Sequence, residues 1–206
     1  MRFYTVLTSL LLGASASTAL IADPINLSIE PATQSIFLGD SVDVAISISG
    51  LGNHAAPSLA AYELAIGYNP FVLANPVVTF GDPVLGDQLA LTFPDLHCIG
   101  PACGLSSMPL GIIELSFDSS DTVDTAQLGA FTLVTVSFDG IGAGLSPIAL
   151  SDIILVDSAG NDLSQSNLID VSSSSVTVLG PEPVPEPGTL LLLACTLVGL
   201  LALRHS

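Results

Sequence analysis

The stretch SVDVAISISG, residues 41–50, constrains the fold more than any other part of the chain. Val42, Val44, Ile46 and Ile48 alternate with Asp43, Ala45 and Ser47, the period of two that turns one side of a strand to a core and the other to water. AYELAIGYNP repeats the pattern with Tyr62, Leu64, Ile66 and Tyr68 before a turn at Asn69-Pro70. Further runs of strand length are INLSIE, NPVVTF, LALTF, GIIELSF, AFTLVTVSFDG, SPIALSDIILVD and SSVTVLG, which makes about nine strands. Gly, Pro, Asn and Asp fill the gaps, as in GLGN, GDPVLGD, GIGAGLSP and DSAGND, and no helical period intervenes. A parallel α/β sheet needs helical crossovers, so the expected body, residues 23–180, is all-β: a nine-stranded antiparallel sandwich. AFTLVTVSF is apolar almost throughout and is expected to be a central strand covered on both faces.

That body carries no fixed positive charge. Of 206 residues, 19 are Asp or Glu and two are Arg, with no Lys, for a net charge of −17. The acids all lie from Asp23 to Glu186, and the arginines are Arg2 and Arg204. His54 and His97 are the only groups in the body able to become cationic. Binding phosphate requires counter-charge, so nucleic acid is not an expected partner. An acidic surface of this kind serves solubility first, and a basic partner or divalent cations second.

Few residues suggest chemistry. Cys98 and Cys103 flank IGPA, a Gly-Pro turn that can bring them within bridging distance, and a disulfide is expected there. Zinc is not, because two cysteines without well-placed partners fall short of four ligands. His97 beside Cys98 suggests a base with a thiol, but neighbours on a strand rarely face one substrate. Asp118, Asp121 and Asp124 in DSSDTVD, and Asp157 to Asp162 in DSAGND, are dense enough in oxygen to consider calcium. A solvated acidic loop and a hairpin turn are the expected roles. Glu63 and Glu114 lie mid-strand; a glycosidase pair would need them about 5–10 Å apart across a cleft, and both are expected to face solvent. His54 is expected on a surface loop, and the sequon Asn26-Leu27-Ser28 is expected to be without function. With no phosphate loop, H-E-x-x-H or G-x-S-x-G, no enzyme and no cofactor are expected.

The ends differ from the body. MRFYTVLTSLLLGASASTALIADP has one arginine, a short apolar core and small residues, the layout of a signal peptide, expected over 1–22. At the other end GPEPVPEPG, part of a linker at 181–188, leads into an unbroken apolar run from Leu190 to Leu203, then Arg204. The run is short for a bilayer, which takes about 20 apolar residues. Pro185-Glu186-Pro187, the single transmembrane helix expected within 189–206 and the basic Arg204 together resemble the PEP-CTERM sorting signal of biofilm-forming Gram-negative bacteria. The resemblance implies export, transient retention in the inner membrane, and cleavage near Pro-Glu-Pro by an exosortase-type enzyme. The single basic residue, Arg204, is fewer than such tails often carry.

A second resemblance covers the body. IEPATQSIFLGDSVDVAISISGL, then AYELAIGYNPFVLANPVVTF with its Tyr68-Asn69-Pro70 turn and Leu73, then TLVTVSF leading to SPIAL, are similar in order and spacing to the cohesin family. Asn69 stands where that family commonly has Asp. The resemblance implies a nine-stranded jelly-roll related to carbohydrate-binding modules, and a non-enzymatic module that holds a dockerin-like protein. The competing expectation is a carbohydrate-binding module, with or without calcium, associated with exopolysaccharide. The absence of Trp and the presence of only three Tyr weigh against it.

Overall fold

The computed structural model describes residues 24–105, 108–164 and 169–181. The expected leader, sorting signal and apolar tail, with Pro185, Glu186, Pro187 and Arg204, lie outside the described residues. Two sheets face one another. The first contains β1 (Ile25–Glu30), β3 (Ser41–Ser49), β5 (Leu73–Phe80), β8 (Ala130–Gly140) and β10 (Ile169–Val171), in the order β10-β1-β3-β8-β5. The second contains β2 (Thr33–Phe37), β4 (Leu59–Gly67), β6 (Leu96–Ile99), β7 (Leu110–Leu115), β9 (Gly144–Asp157) and β11 (Ser174–Leu179), in the order β2-β11-β9-β4-β7-β6. A helix α1 (Ser120–Ala126) and a 3-10 turn (Gly100–Cys103) complete the described elements.

The alternating residues do what their period requires. Val42, Val44, Ile46 and Ile48 of β3 are all buried, facing Tyr62, Leu64 and Ile66 of β4 across the core. Tyr68 is partly buried and packs its ring on Phe138, with centroids 4.8 Å apart. At about 25 cal/mol per Å² of buried apolar surface, this double layer of branched side chains is the main source of stability.

Three sequence expectations are corrected. Eleven strands are described rather than nine: β2, β6 and β10 were not among the runs, and LALTF is a loop. The backbone N–H groups of Leu91, Thr92 and Phe93 go to the Asp118 carboxylate at 2.9, 3.0 and 3.2 Å instead of to a ladder. Second, the sandwich is not wholly antiparallel, since β1 pairs with β10, and β2 with β11, in parallel. Both pairs switch sheets in step, and the crossings are tied by Ser172 N–H to Leu27 O, 3.0 Å, and Ser174 Oγ–H to Pro31 O, 2.5 Å. Third, β8 is central but is not covered on both faces. Its pairing with β3 shifts between Ile46 and Ser47, leaving Leu133 as an extra residue. That bulge lets Leu133 and Val134 both be buried while Thr132, Thr135 and Ser137 stay on the half-exposed face.

Candidate functional site

The chemically distinctive place is where β5, at the edge of one sheet, meets β6, at the edge of the other. Phe80, the last residue of β5, stacks on the His97 ring of β6, with centroids 4.3 Å apart and planes at 23°. The connection 81–95 folds over this seam. Gly81 starts it at φ +81, and a Cβ there would lie 2.9 Å from Asp87 Cα, so the loop returns upon itself only with glycine at that position. Asp82 accepts from the N–H groups of Val84, Leu85 and Thr132 at 2.8, 2.9 and 2.9 Å. Asp87 Oδ1 accepts from Leu89 and Ala90 at 2.9 and 3.3 Å. Gln127, fully buried beyond α1, grips Leu59 N–H and C=O at 2.6 and 2.8 Å and the Gln88 carbonyl at 3.0 Å, fastening the loop to β4.

Glu114 sits beneath this loop. In register it lies between His97 of β6 and Tyr62 of β4, and strand partners share a face, so it points inward with Leu110 and Ile112. It is 0% exposed, and neither carboxylate oxygen has a hydrogen-bond partner. Asp87, Asp95 and Glu114 each place one carboxylate oxygen within 4.8 Å of the others. Asp95 Oδ2 lies 3.5 Å from Nδ1 of His97, whose side chain is half exposed. Burial first, and then the neighbouring Asp95, push the Glu114 carboxyl up to about 9, against a lowering by Tyr62. Burial and Glu114 likewise raise the Tyr62 phenol well above its ordinary value. Such a set can hold a hard cation, and its buried member has no route to a substrate in solvent.

The residues singled out by sequence are dispersed. Glu63 and Glu114 are not a pair: Glu63 faces outward with Ile113 and Ile154, and Glu114 faces inward. The expectation that both face solvent therefore fails for Glu114. Asp118, Asp121 and Asp124 are no calcium loop, because 120–126 is helical. Ser119 caps it through Thr122 N–H at 3.3 Å, and Asp124 accepts from Ser58 and Ser158 hydroxyls at 2.5 and 2.6 Å. DSAGND is a turn, with Asp157 Oδ1 accepting from Ala159 and Asn161 N–H at 2.9 and 2.7 Å. His54 is on an exposed loop, its Nδ1 3.1 Å from Thr125 O. Cys98 is disulfide-bonded, and as it follows His97 on β6 the two side chains take opposite faces.

Asp87 and Asp95 were missed by sequence reasoning. The readable signal was the phase of GIIELSF, which sets Glu114 on the side of Leu110 and Ile112. A second feature of the same strands lies on the outer face of the six-stranded sheet. Leu96, 53% exposed, pairs directly with Leu115, 37% exposed, and Ile154 two strands away is 45% exposed. The other sheet, apart from Val77 on its edge strand, presents hydroxyls and carboxylates instead, with Ser47 and Thr132 in contact at 3.2 Å and Ser41 donating to Asp139 at 3.0 Å.

No protein-family model and no curated protein matches the sequence. Solved structures do resemble it. A non-cellulosomal cohesin from the archaeon Archaeoglobus fulgidus has a TM-score of 0.50 at 14% identity, covering 77% of this chain and 94% of that one. The cohesin structure of the type I complex Coh-OlpC-Doc435 from Clostridium thermocellum has a TM-score of 0.55 at 9% identity, covering 77% and 95%. A type II cohesin domain from the cellulosome of Acetivibrio cellulolyticus has 0.53 at 17% identity, covering 74% and 94%. The two facing sheets of this chain therefore share the fold of cohesin domains.

Proposed function

We propose that this protein is an exported, non-enzymatic cohesin-like module that holds another protein, a dockerin-like partner, through the outer face of its six-stranded sheet. The observation that carries this reading is the exposed apolar group Leu96, Leu115 and Ile154 on one sheet, beside a second sheet whose outer face is polar except for Val77 on its edge strand. Exposed apolar side chains gathered on one face favour association. The carbohydrate reading is weaker, since Tyr62 is buried and Tyr68 is packed against Phe138, which leaves the described body without an exposed Tyr platform.

Capture of exoproteins from the native host by the full chain, beside a glycan array, tests the reading. A retained protein that is lost with Leu96→Asp and Leu115→Asp supports it; glycan binding indifferent to both substitutions overturns it.

Two further expectations belong to the same reading. Pro185-Glu186-Pro187 and Arg204 act as a PEP-CTERM signal, with transient membrane retention and exosortase-type cleavage before delivery to the envelope or extracellular matrix. Mass spectrometry of host material should find a C-terminus near Glu186, and a mature chain ending at Ser206 refutes it. Among the described residues no helix is long and apolar enough to cross a membrane. Cys103, five residues after Cys98, is the proposed disulfide partner; peptide mapping without reduction should recover the two joined.

A further inference from the structure

We propose that Asp87, Asp95 and Glu114 form a calcium site that fastens the 81–95 connection to the edge of the six-stranded sheet. The cluster of acids is one observation. The second is Glu114 itself, fully buried, aimed into the cluster and without a hydrogen bond on either oxygen. A buried carboxylate is tolerated when it is hydrogen-bonded, paired or bound to metal. Asp82, Asp118 and Asp124 show the first course, accepting two or three N–H or O–H groups each. Glu114 does not.

Pairing is also closed to it. Residues 3–203 contain no Lys or Arg. The neighbouring imidazole, His97, is set against Asp95 rather than Glu114. Apart from a proton, a cation from solution is the remaining neutraliser, and a divalent ion would leave the three carboxylates at a net −1.

Geometry and donor chemistry choose the ion. Calcium–oxygen distances of about 2.3–2.6 Å allow two donors on opposite sides of one ion to be about 5 Å apart, and these oxygens lie within 4.8 Å of one another. All three donors are carboxylate oxygens, which suit a hard cation and not zinc. Calcium accepts six to eight oxygens in irregular arrangements, whereas magnesium demands a near-ideal octahedron. One ligand from a sheet strand and two from a single connection would let the ion act as a clasp. The site is on the inner side of β7 and β6, away from Leu96 and Leu115, so it stands or falls separately from docking.

The test uses the purified full chain in mild detergent, stripped with chelator and desalted, followed by calorimetric titration and thermal unfolding with CaCl2 or MgCl2. At about 1 mM, the range of extracellular calcium modules, calcium should give one saturable binding event and raise Tm by about 3–6 °C. Glu114→Gln, which keeps the shape and removes the charge, should abolish the shift. Asp87→Asn and Asp95→Asn should each weaken calcium binding at least about tenfold, as loss of a charged ligand does. Asp152→Asn, an exposed acid outside the cluster, should keep the full shift. No calcium response in the parent chain, a response retained in Glu114→Gln, a response lost in Asp152→Asn, or an equal response to magnesium overturns the proposal.

Discussion

Two neighbouring regions hold acids in opposite ways. Over the seam, Asp82 and Asp118 turn their oxygens toward rows of backbone N–H groups, and each carboxylate organises a loop. Beneath it, Glu114 has the same chemistry and no such donors. In a body without Lys or Arg, backbone N–H groups and hydroxyls are the available neutralisers, and they are plentiful only where the chain turns. Inside a sheet the N–H groups are spent on the ladder, so a carboxylate that points inward from β7 meets none.

The largest expected effect comes from breaking the satisfied side. Asp118→Ala removes the shared acceptor of the Leu91, Thr92 and Phe93 N–H groups at once, and urea denaturation should show a loss of about 2 kcal/mol. The opposite sign is expected beneath the seam. In chelator at pH 8, Glu114→Gln should be more stable than the parent by about 1–2 kcal/mol, because it removes a buried carboxyl that must hold its proton at a pH where the unfolded chain releases it; a loss of stability there would mean that groups around Glu114 favour the carboxyl over the amide.

The contrast extends to pH. Without calcium, folded Glu114 keeps its proton up to about 9 while the unfolded chain releases it near 4.5. The folded state binds more protons between those values, so stability present at pH 4.5 is lost as pH rises toward 9. Unfolding in chelator from pH 5 to 9 should follow that fall, and Glu114→Gln should flatten it. Asp82 and Asp124 are displaced the other way. For Asp82 burial opposes the change, and the Thr132, Leu85 and Val84 N–H groups outweigh it; for Asp124 the Ser158 and Ser58 hydroxyls lower the carboxyl. Their contribution is present above the ordinary carboxylate range and disappears as pH falls below it, so acid titration should reveal a separate limb, reduced in Asp124→Asn. The smallest effect belongs to Asp152→Asn. This residue is exposed at φ 49, a conformation Asn shares, and its stability should change by less than about 0.5 kcal/mol.

Much of the fold was legible because alternation is a local property. Val42 through Ile48, and Tyr62 through Ile66, occupy the faces that their period assigns. The same logic applied to GIIELSF would have turned Glu114 inward; the general preference of Glu for solvent obscured it. The errors arose where a local pattern has two structural solutions. The Leu133-Val134 doublet reads as a strand covered on both faces, and is a bulge that moves one strand from one phase to the next. LALTF has strand composition, but a carboxylate more than twenty residues later, Asp118, takes its N–H groups. DSSDTVD resembles an ion loop, and Ser119 caps it into a helix.

By itself the sequence determined an all-β body, its two apolar ends, the absence of fixed positive charge between them, and most of the core. Tertiary structure decided which sheet each strand joined, that Glu63 and Glu114 face opposite ways, and that Asp87 and Asp95 close over Glu114. The reason is one of range. Strand period follows from the backbone of each residue, whereas the meeting of acids from a loop and a strand depends on register and on the path of the connection between two sheet edges, neither of which is written in any short stretch of residues.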